Sequence, residues 1–469
     1  MINPETRRKL QEVANRTPRT NNGTFTKEKP KKPKPEAPPE GEPAPKKPNA
    51  IEVYYDAGNK SFWAVNGVGE WQELTKENLG LILRANWYST YEKLTNSLTI
   101  LESKLLDIIQ NHSVHFAGRI AGRYPGLAEI CGDKCLITRG PKVPEPKRGK
   151  FDLIKKLIRE LLGEEGKYFY AWMKAAYNAL RAGPPFPPGQ LLAVAGPVGC
   201  GKSLLQMMVT EMLGGRMAKC YRYLSGQTPF NGDMIGCEHL CIEDEVAKSD
   251  IKTRRYFGSS LKSLLVNKQQ SAHPKGRAAF TTEPFWRVTM TLNDEPEALM
   301  ILPPLDTDLA DKVTLLQASA ATMPYPSEAI PTIGAYWAAL KAEIPAYLHA
   351  IMRWEIPAEL QDIRYGVKAF QNAELLHRLT SLSPEAKLWT LILQSGLLDN
   401  SIHGWSGSSV DLEKELQERD KTGQIKELLY YPTACGAYLS RLCRSMPGNI
   451  ERELKGHNHQ VFHLAKDKD

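Results

Sequence analysis

No apolar run in this 469-residue chain approaches the ~20 residues that a membrane-spanning helix needs, so no membrane partner is expected. The opening residues, MINPETRR, lack the apolar centre of a secretory signal, which makes a cytoplasmic protein the expectation. Cysteine is sparse. Cys131 and Cys135 form one C-x3-C pair and Cys237 and Cys241 another, without a second pair at zinc-ribbon spacing. Reduced thiols in a reducing compartment are the simpler reading. Aromatic residues are nearly missing from residues 1–49, which are rich in Pro, Lys and Glu. Such a segment cannot bury enough apolar surface to offset its ordering entropy, and a disordered basic arm is expected. The first 50 residues hold 12 Lys/Arg against 6 Asp/Glu, or +6 of the net +8. The high pI therefore describes the arm and not a basic globular surface.

What is present is ordered along the chain. In residues 50–140 an α+β region is expected. Ile51, Val53 and Tyr55 alternate with Glu52 and Tyr54, and after a turn at Asn59 and Lys60 come Phe62 and Trp63, the pattern of a β-hairpin or meander. Helical periodicity then covers 76–110, through Leu101, Leu105 and Ile109. A Pro- and Lys-rich linker occupies 140–150. Two helices, 151–162 and 168–182, open a larger domain spanning 150–395, and the run PPFPPG at 184–189 ends the second of them.

The chemistry begins immediately afterwards. Residues 190–195, QLLAVA, form an apolar run of strand length that leads into GPVGCGKS at 196–203 and then into a helical pattern. This is a full match to G-x4-G-K-[ST] in its required strand–loop–helix context. Gly199 and Gly201 let backbone N–H groups converge on phosphate oxygens. Lys202 neutralises β/γ charge, Ser203 offers a hydroxyl to Mg²⁺, and the helix N-terminus adds its dipole. The nucleotide-facing set is Gly196, Gly199, Cys200, Gly201, Lys202, Ser203 and Leu204, with Cys200 at a variable position. Roughly 40 residues on, EHLCIEDE at 238–245 is a short strand ending in carboxylates. Asp244 is expected to hold Mg²⁺ and Glu245 to polarise the attacking water, with Glu243 able to trade roles. A third strand, WRVTMTLN at 286–293, ends in Asn293, an amide suited to orienting water beside a γ-phosphate. ATP and Mg²⁺ are the cofactors these elements imply. Before that strand, HPKG at 273–276 has turn chemistry, with Lys268, Lys275 and Arg277 beside it. His273, Lys275 and Arg277 are the expected phosphate-backbone contacts of a basic hairpin. An exposed, merely soluble turn is the alternative.

Taken in order, the phosphate loop, the acidic strand end, the basic hairpin and the strand ending in Asn293 resemble a superfamily 3 helicase. The closer likeness is to the ATPase part of poxvirus- and phage-type primase–helicases. LGGRMA at 213–218, YLSGQTPFN at 223–231 and RYGVKAF at 364–370 fit that group. The resemblance runs over about 50–469 and is strongest over 185–320. It implies an α/β fold with a P-loop, AAA+-like ATPase core built on a parallel sheet, an α+β N-terminal region and a C-terminal winged helix. It also implies a hexameric ring with ATP between subunits. Hairpins in the channel would pull one strand of single-stranded or forked DNA, with Lys275 and His273 as the contacts. The setting would be a bacterial cell or phage-infected host. The family places an arginine finger shortly after the sensor strand, yet no arginine occurs between Leu292 and Met352. Lys312, Arg353 and Arg364 stand as substitutes. No acidic constellation before Gly140 looks like a polymerase metal site, so any primase or polymerase would be a separate protein.

Toward the end, helical patterns at 384–395, 409–417 and 433–444 precede two short strands around a turn at 456–458. Residues 405–469 thus read as a winged-helix-like domain in which Arg441 and Arg444, with Lys455 and His457 in the wing, could meet phosphates; a small packing domain with merely solvated cations is the alternative. The expected function is an ATP-dependent DNA helicase or translocase acting in replication of a phage or mobile element. The rivals are a non-unwinding, DNA-bound loader or remodeller on the same fold and, more remotely, a small-molecule kinase.

Overall fold

An unbroken apolar segment such as Leu191–Ala195 suits a strand covered on both faces, and every residue in it is buried. In the computed structural model it is β1 of a five-stranded sheet whose other strands are β2 (Met217–Lys219), β3 (His239–Ile242), β4 (Arg287–Leu292) and β5 (Val313–Gln317). Their order is β5-β1-β4-β3-β2, and every pairing is parallel. The structure describes residues 51–469 apart from 87, 94–96, 244–250, 304, 306, 307, 322–326, 382, 400–403, 421, 456–458 and 466–469. The expected basic arm at 1–49 lies outside them.

Alternation along the strands sends side chains to two cores. Leu192 and Val194 join a cluster formed with helices Asp152–Leu162 and Gly166–Ala182, α1 (Lys202–Met212) and a helix at Ile333–Arg353. Leu191, Ala193 and Ala195 face the opposite cluster, which takes in α2 (Ile251–Val266) and helix Ala373–Ser381. Register sets Ala195 beside both Leu292 and Gln317. The carboxyl ends of β1, β4 and β5 therefore share one edge, where open α/β sheets gather their ligands.

Residues 51–139 form two small sheets. Strands Val53–Asp56, Ser61–Val65 and Trp71–Leu74 make the expected meander, joined by Ser113–Val114 in parallel with the first of them. The single helical stretch expected over 76–110 is instead two helices, Lys76–Ala85 and Ile100–Asn111. Asn86 ends the first by donating to the Ile82 carbonyl at 2.8 Å, and Thr99 with Glu102 starts the second with a reciprocal capping box. The stretch up to Arg139 holds a three-stranded sheet of Phe116–Gly118, Asp133–Ile137 and Gly126–Ile130.

Near the end of the chain, helices Pro384–Gln394, Ser409–Arg419 and Ala434–Ser445 surround their own apolar core with hairpin Ile450–Lys455/His459–Leu464. Trp405–Gly407 adds a third antiparallel strand to the hairpin. Among the described residues no helix is long and apolar enough to cross a membrane.

Candidate functional site

At the end of β1 the chain turns through a loop in which each glycine has a distinct reason. A Cβ on Gly196 would stand 2.3 Å from the Ala318 carbonyl oxygen just past β5, so only glycine passes there. Gly199 (φ +75°) and Gly201 (φ +113°) adopt left-handed backbone that side chains with a Cβ resist. α1 then starts at Lys202 and leaves its first-turn N–H groups pointing into the loop. Lys202 is buried. Its ammonium donates to the carbonyls of Gly196 and Pro197, both at 2.7 Å, and to Asn293 Oδ1 at 3.3 Å. Thus Asn293, one residue past β4, and Lys202, from 91 positions earlier, meet directly. Ser203 is exposed at the loop rim. Cys200 and Leu204, placed in the nucleotide-facing set from sequence, send their side chains into the core beneath, leaving only backbone to face a ligand.

The sheet under this loop is fastened by a buried polar chain. Gln206 of α1 donates to Thr289 Oγ1 at 2.8 Å. The His239 ring lies 2.8 Å from both Thr289 Oγ1 and Thr210 Oγ1. Burial pushes the His239 imidazole down to about 3 and the Cys241 thiol beside it up to about 12, so both are neutral. Glu243 follows β3 and pairs with Lys219 at 2.6 Å. Asp244 and Glu245, the expected metal-holding and water-polarising carboxylates, lie outside the described residues. Arg378, which sequence reasoning did not single out, reaches from helix Ala373–Ser381 to Asp294, donating to its carbonyl at 3.2 Å, and also pairs with Glu374. Nothing in the sequence marks an arginine 84 positions from its partner.

Two of the three substitutes weighed for an arginine finger lie elsewhere. Lys312 is buried at the start of β5 and pairs with Asp311 at 2.5 Å, while Arg364 packs on the Tyr365 ring near that same aspartate. Both belong to the amino edge of the sheet, opposite the loop of the same copy.

The basic turn is a hairpin of strands Gln270–Ala272 and Phe280–Thr282. Buried Asn231 anchors it by accepting the His273 N–H at 2.6 Å, donating its own N–H to the His273 carbonyl at 3.2 Å, and donating its side-chain amide to Ser271 O at 2.8 Å. Lys275 is exposed at the tip, and the half-exposed His273 ring lies 5.0 Å from that of Phe230. Phe230 also lines a cavity of about 220 Å³ with Lys219, Arg222 and Tyr223, another feature the sequence did not flag. Arg277 departs from expectation. Instead of facing solvent with Lys275, its guanidinium turns back onto the buried Asp56 carboxylate, 2.5 Å from each oxygen, and lies over the Phe116 ring. Burial with a full counter-charge removes it from the exposed cations of the turn.

In the C-terminal unit Arg441 pairs with Glu385 at 3.3 Å and packs on Tyr438, whereas Arg444 is exposed. His457 lies outside the described residues. Among the described residues no group of three or more His, Cys, Asp or Glu is arranged to hold a metal ion.

Residues 194–308, from the end of β1 through the hairpin and β4, match a family described only as Family of unknown function (DUF5906). No curated protein matches the sequence. Solved structures are more informative. The apo structure of the NrS-1 C-terminal region is similar with a TM-score of 0.54 at 13% identity, over 89% of this chain and 96% of that one. The fold is that of the NrS-1 C-terminal region. An A form apo structure of the same region gives a TM-score of 0.52 at 12% identity, over 89% and 97%. At such identity the NrS-1 likeness speaks for architecture and leaves chemistry to the residues described above.

Proposed function

We propose that the chain is an ATP-hydrolysing motor that acts on single-stranded or forked DNA in replication of a phage or mobile element. The observation that carries the reading is Lys202. Its ammonium is buried, its partners among the described residues are the neutral oxygens of Gly196, Pro197 and Asn293 and the Cys200 sulfur, and it sits in a loop at a helix start. A buried cation so placed favours an anion, and a loop of this shape suits a polyphosphate. The residues therefore fit ATP with Mg²⁺: a P-loop whose 199–203 amides and Lys202 take phosphates, and whose Ser203 hydroxyl takes the metal. Asp244 and Glu245 complete the set by sequence. When bound, ATP supplies the phosphoanhydride whose hydrolysis drives movement, and Asn293, tied to Lys202, orients water at the γ-phosphate. In this reading the core is AAA+-like, subunits assemble as a hexameric ring, and residues 405–469 act as a winged helix. The exposed Lys275 beside His273 and Phe230 suits a strand held by phosphate charge and base stacking.

The test is ATP hydrolysis with and without single-stranded DNA, together with displacement of a labelled strand from a fork. Wild type hydrolyses faster with DNA and displaces the strand, Lys202→Ala does neither, and Lys275→Ala keeps basal hydrolysis only. A preparation that hydrolyses ATP but has no DNA affinity at low salt contradicts the proposal. The Arg277–Asp56 pair favours one rival, since it leaves the hairpin fewer exposed cations than the sequence suggests. That rival is a DNA-bound loader or remodeller, for which DNA binding rises with ATP and no strand is displaced.

A further inference from the structure

The cavity beside the hairpin is walled by Lys219 at the end of β2 and by Arg222, Tyr223, Thr228, Phe230 and Asp233 from the segment that follows. Close packing fixes that segment in place. At Gly226 (φ +77°) a Cβ would stand 2.9 Å from the Tyr256 ring, and at Gly232 one would stand 2.9 Å from Pro274 Cα in the hairpin turn. Between these glycines, Asn231 holds the backbone of Ser271 and His273. The Phe230 ring, 5.0 Å from that of His273, is therefore a wall shared by the cavity and the hairpin.

The lining combines aromatic rings with cations. Phe230 keeps 38% of its surface exposed, and Tyr223 is half-buried beside the same cavity. Arg222 is exposed and makes no ion pair among the described residues, whereas Lys219 is already paired with Glu243 at 2.6 Å. With one cation engaged and the Asp233 carboxylate present, the charge does not suit a polyphosphate. The volume of about 220 Å³ lies below the roughly 300–1,000 Å³ of pockets that enclose drug-sized molecules, which points to a smaller, partly enclosed group.

We propose that the cavity receives one unstacked base of the bound single strand, with Phe230 stacking on the base and Arg222 meeting the adjoining phosphate. This deepens, and rests on, the DNA-binding reading given above: the strand that Lys275 grips at the hairpin tip continues over Phe230 into the cavity. Stacking accepts any base, so the cavity sets affinity and not sequence preference.

The experiment measures binding of the full chain at low salt to a labelled oligothymidylate and to a strand of the same length whose sites are all abasic, which keeps the phosphates and lacks the bases. Wild type prefers the thymidylate strand by about fivefold or more. Phe230→Ala reduces that preference to within twofold, and Phe230→Trp, which keeps a ring, retains it. Asp233→Phe, which fills the cavity and leaves Phe230 in place, also reduces the preference to within twofold. Arg222→Ala weakens both strands alike and lowers the salt slope by about 0.7, one phosphate contact. If Phe230→Ala or Asp233→Phe keeps the wild-type preference, or if wild type has none, the base site is refuted while DNA binding at the hairpin stands. Should wild type bind neither strand, the DNA-binding reading fails and the base site with it.

Discussion

Arg277, from the hairpin, and Asp56, 221 positions earlier, form a closed ion pair. The same carboxylate also accepts the backbone N–H groups of Gly58, Asn59 and Ala117. Phe280 on the hairpin packs against Phe116 at 4.7 Å beside it. The small N-terminal sheets and the hairpin are therefore one mechanical piece. If the hairpin moves with bound nucleotide, as the proposed motor requires, residues 51–139 move with it.

Removing one member of this pair strands a buried charge, which typically costs ~3–5 kcal/mol. Asp56→Ala is expected to lower the chemical-denaturation midpoint sharply. Replacing both partners, Asp56→Asn with Arg277→Met, recovers much of the loss. Additive effects of the two single changes in that double-mutant cycle would show that the pair is not coupled.

The two hairpin cations also separate in their salt dependence. Each phosphate contact on a single strand contributes a slope of about −0.7 in log affinity against log salt. Lys275→Ala is expected to reduce the slope by about one contact's worth. Arg277→Met leaves it unchanged at protein concentrations where the fold is intact. Equal slope losses would mean that Arg277 leaves Asp56 to meet DNA.

Acid sensitivity is expected from His239. Burial holds its folded pKa near 3, against about 6.5 when unfolded, so the unfolded chain binds more protons between those values. The stabilisation is complete above pH ~6.5 and declines as pH falls toward 3, by at most ~1.4 kcal/mol per pH unit. Urea midpoints at pH 7.5, 6 and 5 should fall more steeply for wild type than for His239→Gln. Parallel curves would exclude the buried imidazole as the cause.

Arg378 holds Asp294, the residue after Asn293. Arg378→Ala is expected to lower kcat for ATP several-fold and to change ATP affinity less than twofold, because the phosphate loop is untouched. A loss confined to affinity would instead make Arg378 a binding residue.

Three of the five core strands were legible because each is a short run of strand-forming residues ending at a chemically marked residue: Gly196 after β1, Glu243 after β3 and Asn293 after β4. β2 is only three residues long and only its central Ala218 is buried, while β5 carries no motif at either end, so neither stood out. The meeting of Lys202 with Asn293 was implied by motif order and needed the β1–β4 pairing to become a distance. The position of Arg277 was not legible. Turn composition signals exposure for every cation in it, and only the tertiary packing of residues 51–139 provides the buried partner. The placements of Arg378 and Phe230 are likewise products of long-range contacts.

The most direct test of the account is steady-state ATP hydrolysis by the full chain, with and without single-stranded DNA, for wild type and Lys202→Ala. The account predicts hydrolysis that DNA accelerates in wild type and that Lys202→Ala abolishes. Hydrolysis that survives in Lys202→Ala, or its absence from wild type in the presence of Mg²⁺ and DNA, would contradict it.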